Sequence, residues 1–416
     1  MTNSNLENNY LSKENLFLLI LYLSLIVGFI FNENSTGGAI LDYINQKSIS
    51  KLFAKDFFDS FFNYDKFSTR HSPILIIFLS IFEKLNFSDE LIRIIHLHIS
   101  LLLPFGFYIC LSKKFAEVNK YYLLLLVGLI FLSPTFRSLA IWPDSRLLGL
   151  AFFTLSIYFY IKFIKDKKFS YCILNILFCS ISSYISPNFS VFSIFFFYIF
   201  LNHYKLFSYQ IISIIFLNIF LSLPALYYIF FLDINFFNKS AIISNENKNI
   251  FFSNFSNQIL LISSIIFFYF FPFILSKSIK LDLNFKTTKF FISILIILIC
   301  IIFFDYKYSY TGGGVFFKIS FYIFGNNVLF YFISFISILV ILFIIENKFH
   351  NILVFILIFL SNPQISVYHK YYDPLVIILL FTILSLNIDI NKLKNYRVMI
   401  FLYSYFGGFL LLSFFK

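Results

Sequence analysis

Apolar runs of a dozen or more residues recur along the whole chain, and no other feature constrains its fold as much. They cover approximately residues 16–31, 94–111, 121–133, 147–161, 170–183, 189–201, 208–232, 258–275, 290–304, 326–345, 350–361, 374–388 and 398–415. A β-barrel would instead alternate apolar and polar residues over segments of ~10 residues. Only 12% of the 416 residues are charged and 60% are hydrophobic, whereas roughly a quarter of a soluble domain is charged. A chain this apolar would also collapse rather than stay disordered. The expected fold is all-α, a polytopic transmembrane helical bundle of about 12–13 helices forming one integral-membrane domain over residues 1–416. Several runs fall short of the ~20 residues that cross a hydrocarbon core, so their helices should extend into polar flanks.

The net charge of +12 would suggest nucleic acid in a soluble protein. In a membrane protein it fits basic loops facing anionic headgroups, and no nucleic-acid partner is expected. Phe (66) and Tyr (28) are abundant while Gly (12) and Pro (9) are scarce. Phe, Ile, Asn, Lys and Tyr share AT-rich codons, so a Phe-rich helix here is no sign of a ligand. Cys110, Cys172, Cys179 and Cys300 lie in or beside apolar runs without a CxxC pair, and read as buried free thiols. The run Leu16 to Phe31 lacks a small-residue cleavage site and reads as a retained first helix.

The segment Pro73 to Phe82 decides the topology, because counting it as a span inverts every later loop. Without it, and with the N-terminus cytoplasmic, the inside loops hold sixteen Lys or Arg in about 51 residues. The short outside loops then hold seven, which satisfies the positive-inside rule. The segment is therefore expected to lie at the outer surface of a multi-pass plasma (inner) membrane protein. The first outside loop, 32–93, gains a second surface helix over Ile49–Phe62 from its alternation of apolar and charged residues. Residues 94–232 and 233–416 carry the remaining expected spans. Loops 233–257 and 305–325, rich in Asn, Ser and Gly, are candidates for an acceptor site or lid.

The unusual polar residues gather on the outside face. Glu33 follows the first helix, in Asn32-Glu33-Asn34-Ser35-Thr36-Gly37-Gly38. It is either a carboxylate poised at headgroup depth or a helix-terminal residue facing water. In Thr69-Arg70-His71-Ser72-Pro73, Ser72 and Pro73 suit a helix start. Arg70 and His71 suit a phosphate or an interfacial anchor. Asp144 and Arg146 follow the only Trp, Trp142, and either pair with each other or add a second acid to the face. His369, Lys370 and Tyr371 precede Asp373 and Pro374 at the start of a late helix, as anchors or as cationic donors. Taken together, acids and cations on one face fit a reaction of a lipid-linked phosphate. A carboxylate would take a proton from an acceptor hydroxyl, and cations would stabilise the departing phosphate. No His/Asp cluster has metal-ligand spacing, and no metal or other cofactor is expected beyond a lipid-phosphate sugar as co-substrate.

In these features the chain resembles the C-type-fold membrane glycosyltransferases, a superfamily that includes protein O-mannosyltransferases, the lipid A aminoarabinose transferase and rhizobial galacturonosyltransferases. The resemblance rests on Glu33 after the first helix and on His71-Ser72-Pro73 followed by Arg93. It rests also on Ser133-Pro134 followed by Asp144, and on Lys370-Tyr371 before Pro374. It covers residues 16 to about 165 and the late element. It implies transfer of a sugar from a polyprenyl-phosphate donor to an acceptor hydroxyl of a glycolipid, polysaccharide or protein, on the periplasmic side of the membrane. By resemblance Glu33 or Asp42 is the base and Asp144 the second acid. His71, Arg93, Arg146 and Lys370 then contact donor phosphate or sugar. The chain departs from the family's Asp-Glu, His-Pro-Pro and Arg-Tyr forms at Asn32, Ser72 and Lys370. A transporter, flippase, polymerase or ligase of lipid-linked sugars is the alternative. Against transport stand predicted spans nearly free of charge and too few Gly and Pro for paired broken helices. Against a polymerase or ligase stands the lack of Arg between Arg146 and Arg397.

Overall fold

Helices in this chain start where a short polar side chain precedes an apolar run. Ser72 caps one by accepting from the Ile74 amide, with Pro73 at the first helical position. Ser133 repeats the pattern with Pro134, accepting from Phe136 N at 2.9 Å. Asp144 accepts from Arg146 N at 2.7 Å, and Asn119 caps a fourth helix.

The computed structural model describes residues 13–67, 69, 71–230, 250–280, 287–308, 312–345, 348–364 and 366–415. In chain order α1 is Lys13–Ile30, α2 Ala39–Lys55, α3 Pro73–Lys84, α4 Asp89–Lys114, α5 Lys120–Leu132 and α6 Pro134–Ile141. Next come α7 Ser145–Asp166, α8 Phe169–Ile185, α9 Ser193–His203, α10 Tyr209–Phe230, α11 Ile250–Leu275 and α12 Thr287–Ile302. The last are α13 Gly314–Phe324, α14 Val328–Ile345, α15 Phe349–Leu360, α16 Leu375–Phe381 and α17 Tyr396–Ser413. No strand occurs among the described residues, apart from one isolated bridge between Ile279 and Ile388.

The chain is an all-α, multi-pass membrane protein. Among the described residues seven helices (α1, α4, α7, α10, α11, α14 and α17) are long and apolar enough to cross a bilayer. The pair α5–α6 bends by 70° and makes an eighth if taken as one span. Four further apolar helices, α8, α12, α13 and α15, are shorter. Exposed side chains such as Phe216, Phe220, Leu295, Phe332 and Leu411 turn outward from these helices, as lipid-facing positions should.

Two expectations need correcting. The single amphipathic helix over Ile49–Phe62 is two pieces, because Asp56 ends α2 and its carboxylate then accepts Asp59 N at 3.0 Å to start Phe57–Phe62. The loop 305–325 contains α13, and residues 250–257 of the loop 233–257 belong to α11. The C-terminal helices share one core with the N-terminal ones, running from Leu21 to Phe406. Within it all seven residues of α16 are buried, as expected for a helix that is apolar all round.

Helix α3 does not run through the bundle. At its start Ser72 Oγ donates to the Tyr184 carbonyl near the end of α8. At its far end Glu83 lies 3.7 Å from Lys47 of α2, which also pairs with Asp89 at the start of α4. Leu75 and Leu79 pack with Tyr43, Ile92, Leu148 and Ile185. Both ends of α3 thus meet the same end of the bundle, as the charge argument expected.

The opposite end carries its own charged contacts. Lys113 meets Asp166 at 3.4 Å, Lys280 meets Asp389 at 3.2 Å, and Lys114 caps the Thr382 carbonyl at 2.8 Å.

Candidate functional site

The turn after α1 determines where Glu33 goes. Asn32 takes a left-handed conformation (φ 53°), and Glu33 N bonds back to the Gly28 carbonyl at 2.9 Å. The Glu33 side chain then folds over Gly28, where a Cβ would collide with its Oε2. Glu33 is buried, and Arg137 of α6 faces it with Nε at 2.8 Å from Oε1 and Nη2 at 2.6 Å from Oε2. Ser35 adds a bond at 3.2 Å, and Arg137 Nη2 also donates to the Ser24 carbonyl at 2.8 Å. This two-pronged geometry is the strongest form of ion pair available to a carboxylate.

Most of the Arg93 guanidinium is also occupied structurally, although its Nη2 is buried without an acceptor among the described residues. Its guanidinium lies 3.6 Å from the Trp142 ring and 4.8 Å from that of Phe29, and its Nε donates to the Ile141 carbonyl at 3.2 Å. That stack anchors α4 to α1 and α6. His369 turns into the core, where its Nε2 meets Tyr269 Oη at 2.8 Å between Phe268 and Phe409. The structure therefore does not bring Glu33, Arg93 or His369 into a common site with the other candidates. Arg70 lies outside the described residues.

The remaining candidates do converge. Asp42, His71, Arg146, Lys370 and Tyr371 line one small polar cleft open to solvent. Serines and amides complete the wall, among them Ser145, Asn188 and Gln364. Asp42 on α2 pairs with Lys370 at 2.8 Å, although 328 positions separate them. The Arg146 guanidinium lies 3.9 Å from the Tyr371 ring, and Tyr371 Oη donates to Gln364 Oε1 at 2.7 Å. Nε and Nη1 of Arg146 are buried and meet no acceptor among the described residues. Buried N–H groups without an acceptor are costly, and an anion is one group that would relieve them.

Asp144 stands behind Arg146 at the head of α7 and is 3% exposed. Burial acts to raise its carboxyl. The charges of Arg146, Lys370 and His71, with the Arg146 amide, prevail and hold it below the usual carboxylate range. Asp373, which was noted in the sequence only as a neighbour of Lys370, has the opposite balance. Burial lifts its carboxyl above the usual range despite bonds from Ser133 Oγ at 2.6 Å and Thr135 N at 3.1 Å. Those two bonds tie the Lys370 turn to the start of α6. The Ser-Pro start at 133–134 signalled the cap in the sequence, but nothing there linked it to a carboxylate 240 residues later.

At Ser72 and Pro187 the polar cleft adjoins a second, apolar groove of about 230 Å³ between α8, α9 and α10. Ile176, Phe196, Phe200, Ile214, Leu221 and Ile229 line it. Among the described residues no group of three or more His, Cys, Asp or Glu side chains could hold a metal ion. No protein-family model matches the chain, and neither a curated protein nor a solved structure matches it.

Proposed function

We propose that the chain is an integral-membrane glycosyltransferase that moves a sugar from a polyprenyl-phosphate donor to an acceptor hydroxyl at the outer face of the membrane. The observation that carries this is the joining of two cavities. A cleft holding Arg146 donors without acceptors among the described residues, and the cation Lys370, adjoins an apolar groove at Ser72 and Pro187. An amphiphile with a phosphate head and a hydrocarbon tail matches both halves, with membrane lipid around it.

In this reaction the acceptor oxygen bonds to the anomeric carbon while its proton passes to a carboxylate. The anomeric C–O bond to the phosphate breaks, and its electron pair stays on the phosphate oxygen. The new charge then falls beside Arg146 and Lys370, which is where preorganised donors are worth most. Asp42 is the base this geometry favours, since it borders the cleft whereas both oxygens of Glu33 are held by Arg137. Asp144 orients Arg146 and the first turn of α7. The acceptor is a hydroxyl of a glycolipid, polysaccharide or protein.

The test is binding of a polyprenyl phosphate to the protein in nanodiscs, followed by transfer from a radiolabelled polyprenyl-phosphate sugar. Arg146→Ala should weaken binding by about tenfold or more, as for loss of charged hydrogen bonds. Unchanged binding in Arg146→Ala would sink the donor site. Movement of intact donor across the bilayer without glycosidic cleavage would instead indicate a flippase.

A further inference from the structure

Lys370 serves two partners. It holds Asp42 at 2.8 Å, and it lines the same cleft as Arg146, whose ring partner Tyr371 is the next residue in the chain. The pair with Asp42 is partly exposed, with side-chain accessibilities of 16% for Lys370 and 31% for Asp42. Pairs this open to water are weak. An ammonium on a flexible four-carbon stem can rotate from one anion to another without losing its hydrogen-bonding capacity. A phosphate at Arg146 therefore competes directly with Asp42 for Lys370.

Resting on the donor site proposed above, we infer that Lys370 couples donor binding to release of the base. The donor phosphate takes Lys370, and Asp42 is freed to accept the acceptor's proton. Each substrate then has its own condition. The donor must bind before the acceptor hydroxyl can be activated, and departure of the lipid phosphate restores the Asp42–Lys370 pair. Proton abstraction in the absence of donor is thereby suppressed. Glu33 cannot take part in such an exchange, because Arg137 grips it from two nitrogens in a buried setting with side-chain accessibilities of 8% and 2%.

The experiment is a binding cycle on the full chain in nanodiscs, with a polyprenyl phosphate as ligand and Asp42→Asn, Lys370→Ala, the double variant and Arg146→Ala as proteins. Asp42→Asn should bind the lipid phosphate about fivefold tighter than the wild type, the scale of an exposed ion pair released to the ligand. The same substitution made on Lys370→Ala should change nothing, which separates release of Lys370 from a general loss of negative charge. A merely structural role for Asp42 would never tighten binding. If Asp42→Asn misassembles by gel filtration, Asp42→Ser takes its place. Equal or weaker binding by Asp42→Asn, with Lys370→Ala and Arg146→Ala both weakened, would overturn the coupling and leave the donor site intact. Tightening that persists without Lys370 would also overturn it. No binding by the wild type would overturn the donor site itself.

Discussion

Glu33–Arg137 and Asp42–Lys370 both join the first loop to helices far along the chain, one to α6 and the other to the turn before α16. Each is an acid paired with a base at the same end of the bundle. One is buried, forked and reinforced by Ser24 and Ser35; the other is half open to the cleft and rests on one nitrogen. Burial makes the first pair costly to break and useless for exchange, since either partner alone would be a stranded charge. Exposure makes the second cheap to break and therefore available. Two residues of one charge type, nine positions apart, thus acquire opposite uses from their surroundings.

The largest effect that bears on this contrast is loss of one buried partner. Arg137→Ala should destabilise the protein by about 3–5 kcal/mol, as for other uncompensated buried charges, read as a fall in thermal unfolding temperature in detergent. A drop no greater than that of Lys370→Ala would erase the distinction between the pairs. Next comes Gly28→Ala, which forces Glu33 off its seat at a cost of about 1–3 kcal/mol, as for overpacking of a tight core. Its loss should nearly vanish when Glu33 is already Ala.

Asp144 gives the intermediate case. Asp144→Ala removes the cap of α7 and should cost about 0.5–2 kcal/mol, whereas Asn preserves the cap. Asn does remove a titrating group. Because the Asp144 carboxyl is held low, its contribution is complete above the ordinary carboxylate pKa of about 3.9 and is lost as pH falls through the lowered value. Melting curves below that pH should therefore slope in the wild type and flatten in Asp144→Asn. The smallest effect belongs to the open pair, where a double-mutant cycle of Asp42 and Lys370 should give a coupling of about 0.2–1 kcal/mol. A coupling of several kcal/mol would show that Lys370 is not free to exchange.

Much of this molecule was legible from its residues one at a time. The caps at Ser72, Ser133 and Asp144 are local, since a side chain and the amide two or three positions on decide them. The surface position of α3 followed from loop charge, and its contacts agree. Arg146, Lys370, Asp42, His71 and Tyr371, picked out as acids, cations and a ring on one face, line one cleft. Glu33, Arg93 and His369 were chosen on the same chemistry and occupy structural posts, because the partner that claims each of them is 104, 49 or 100 positions away. Asp56, which splits the second surface helix, was read as part of the amphipathic pattern, because its charge fits that spacing as well as a cap.

The sequence by itself determined that the chain is helical and lies in a membrane, because apolar length and charge placement answer to the bilayer and not to any neighbour. Only the tertiary structure decided which acids are spent and which are available. A carboxylate's role depends on the charge, the donors and the water within a few ångströms, and those are supplied by helices that the sequence leaves unassigned to one another. Arg137 reached Glu33, Lys370 reached Asp42, and Asp373 reached Ser133 only once the chain had packed.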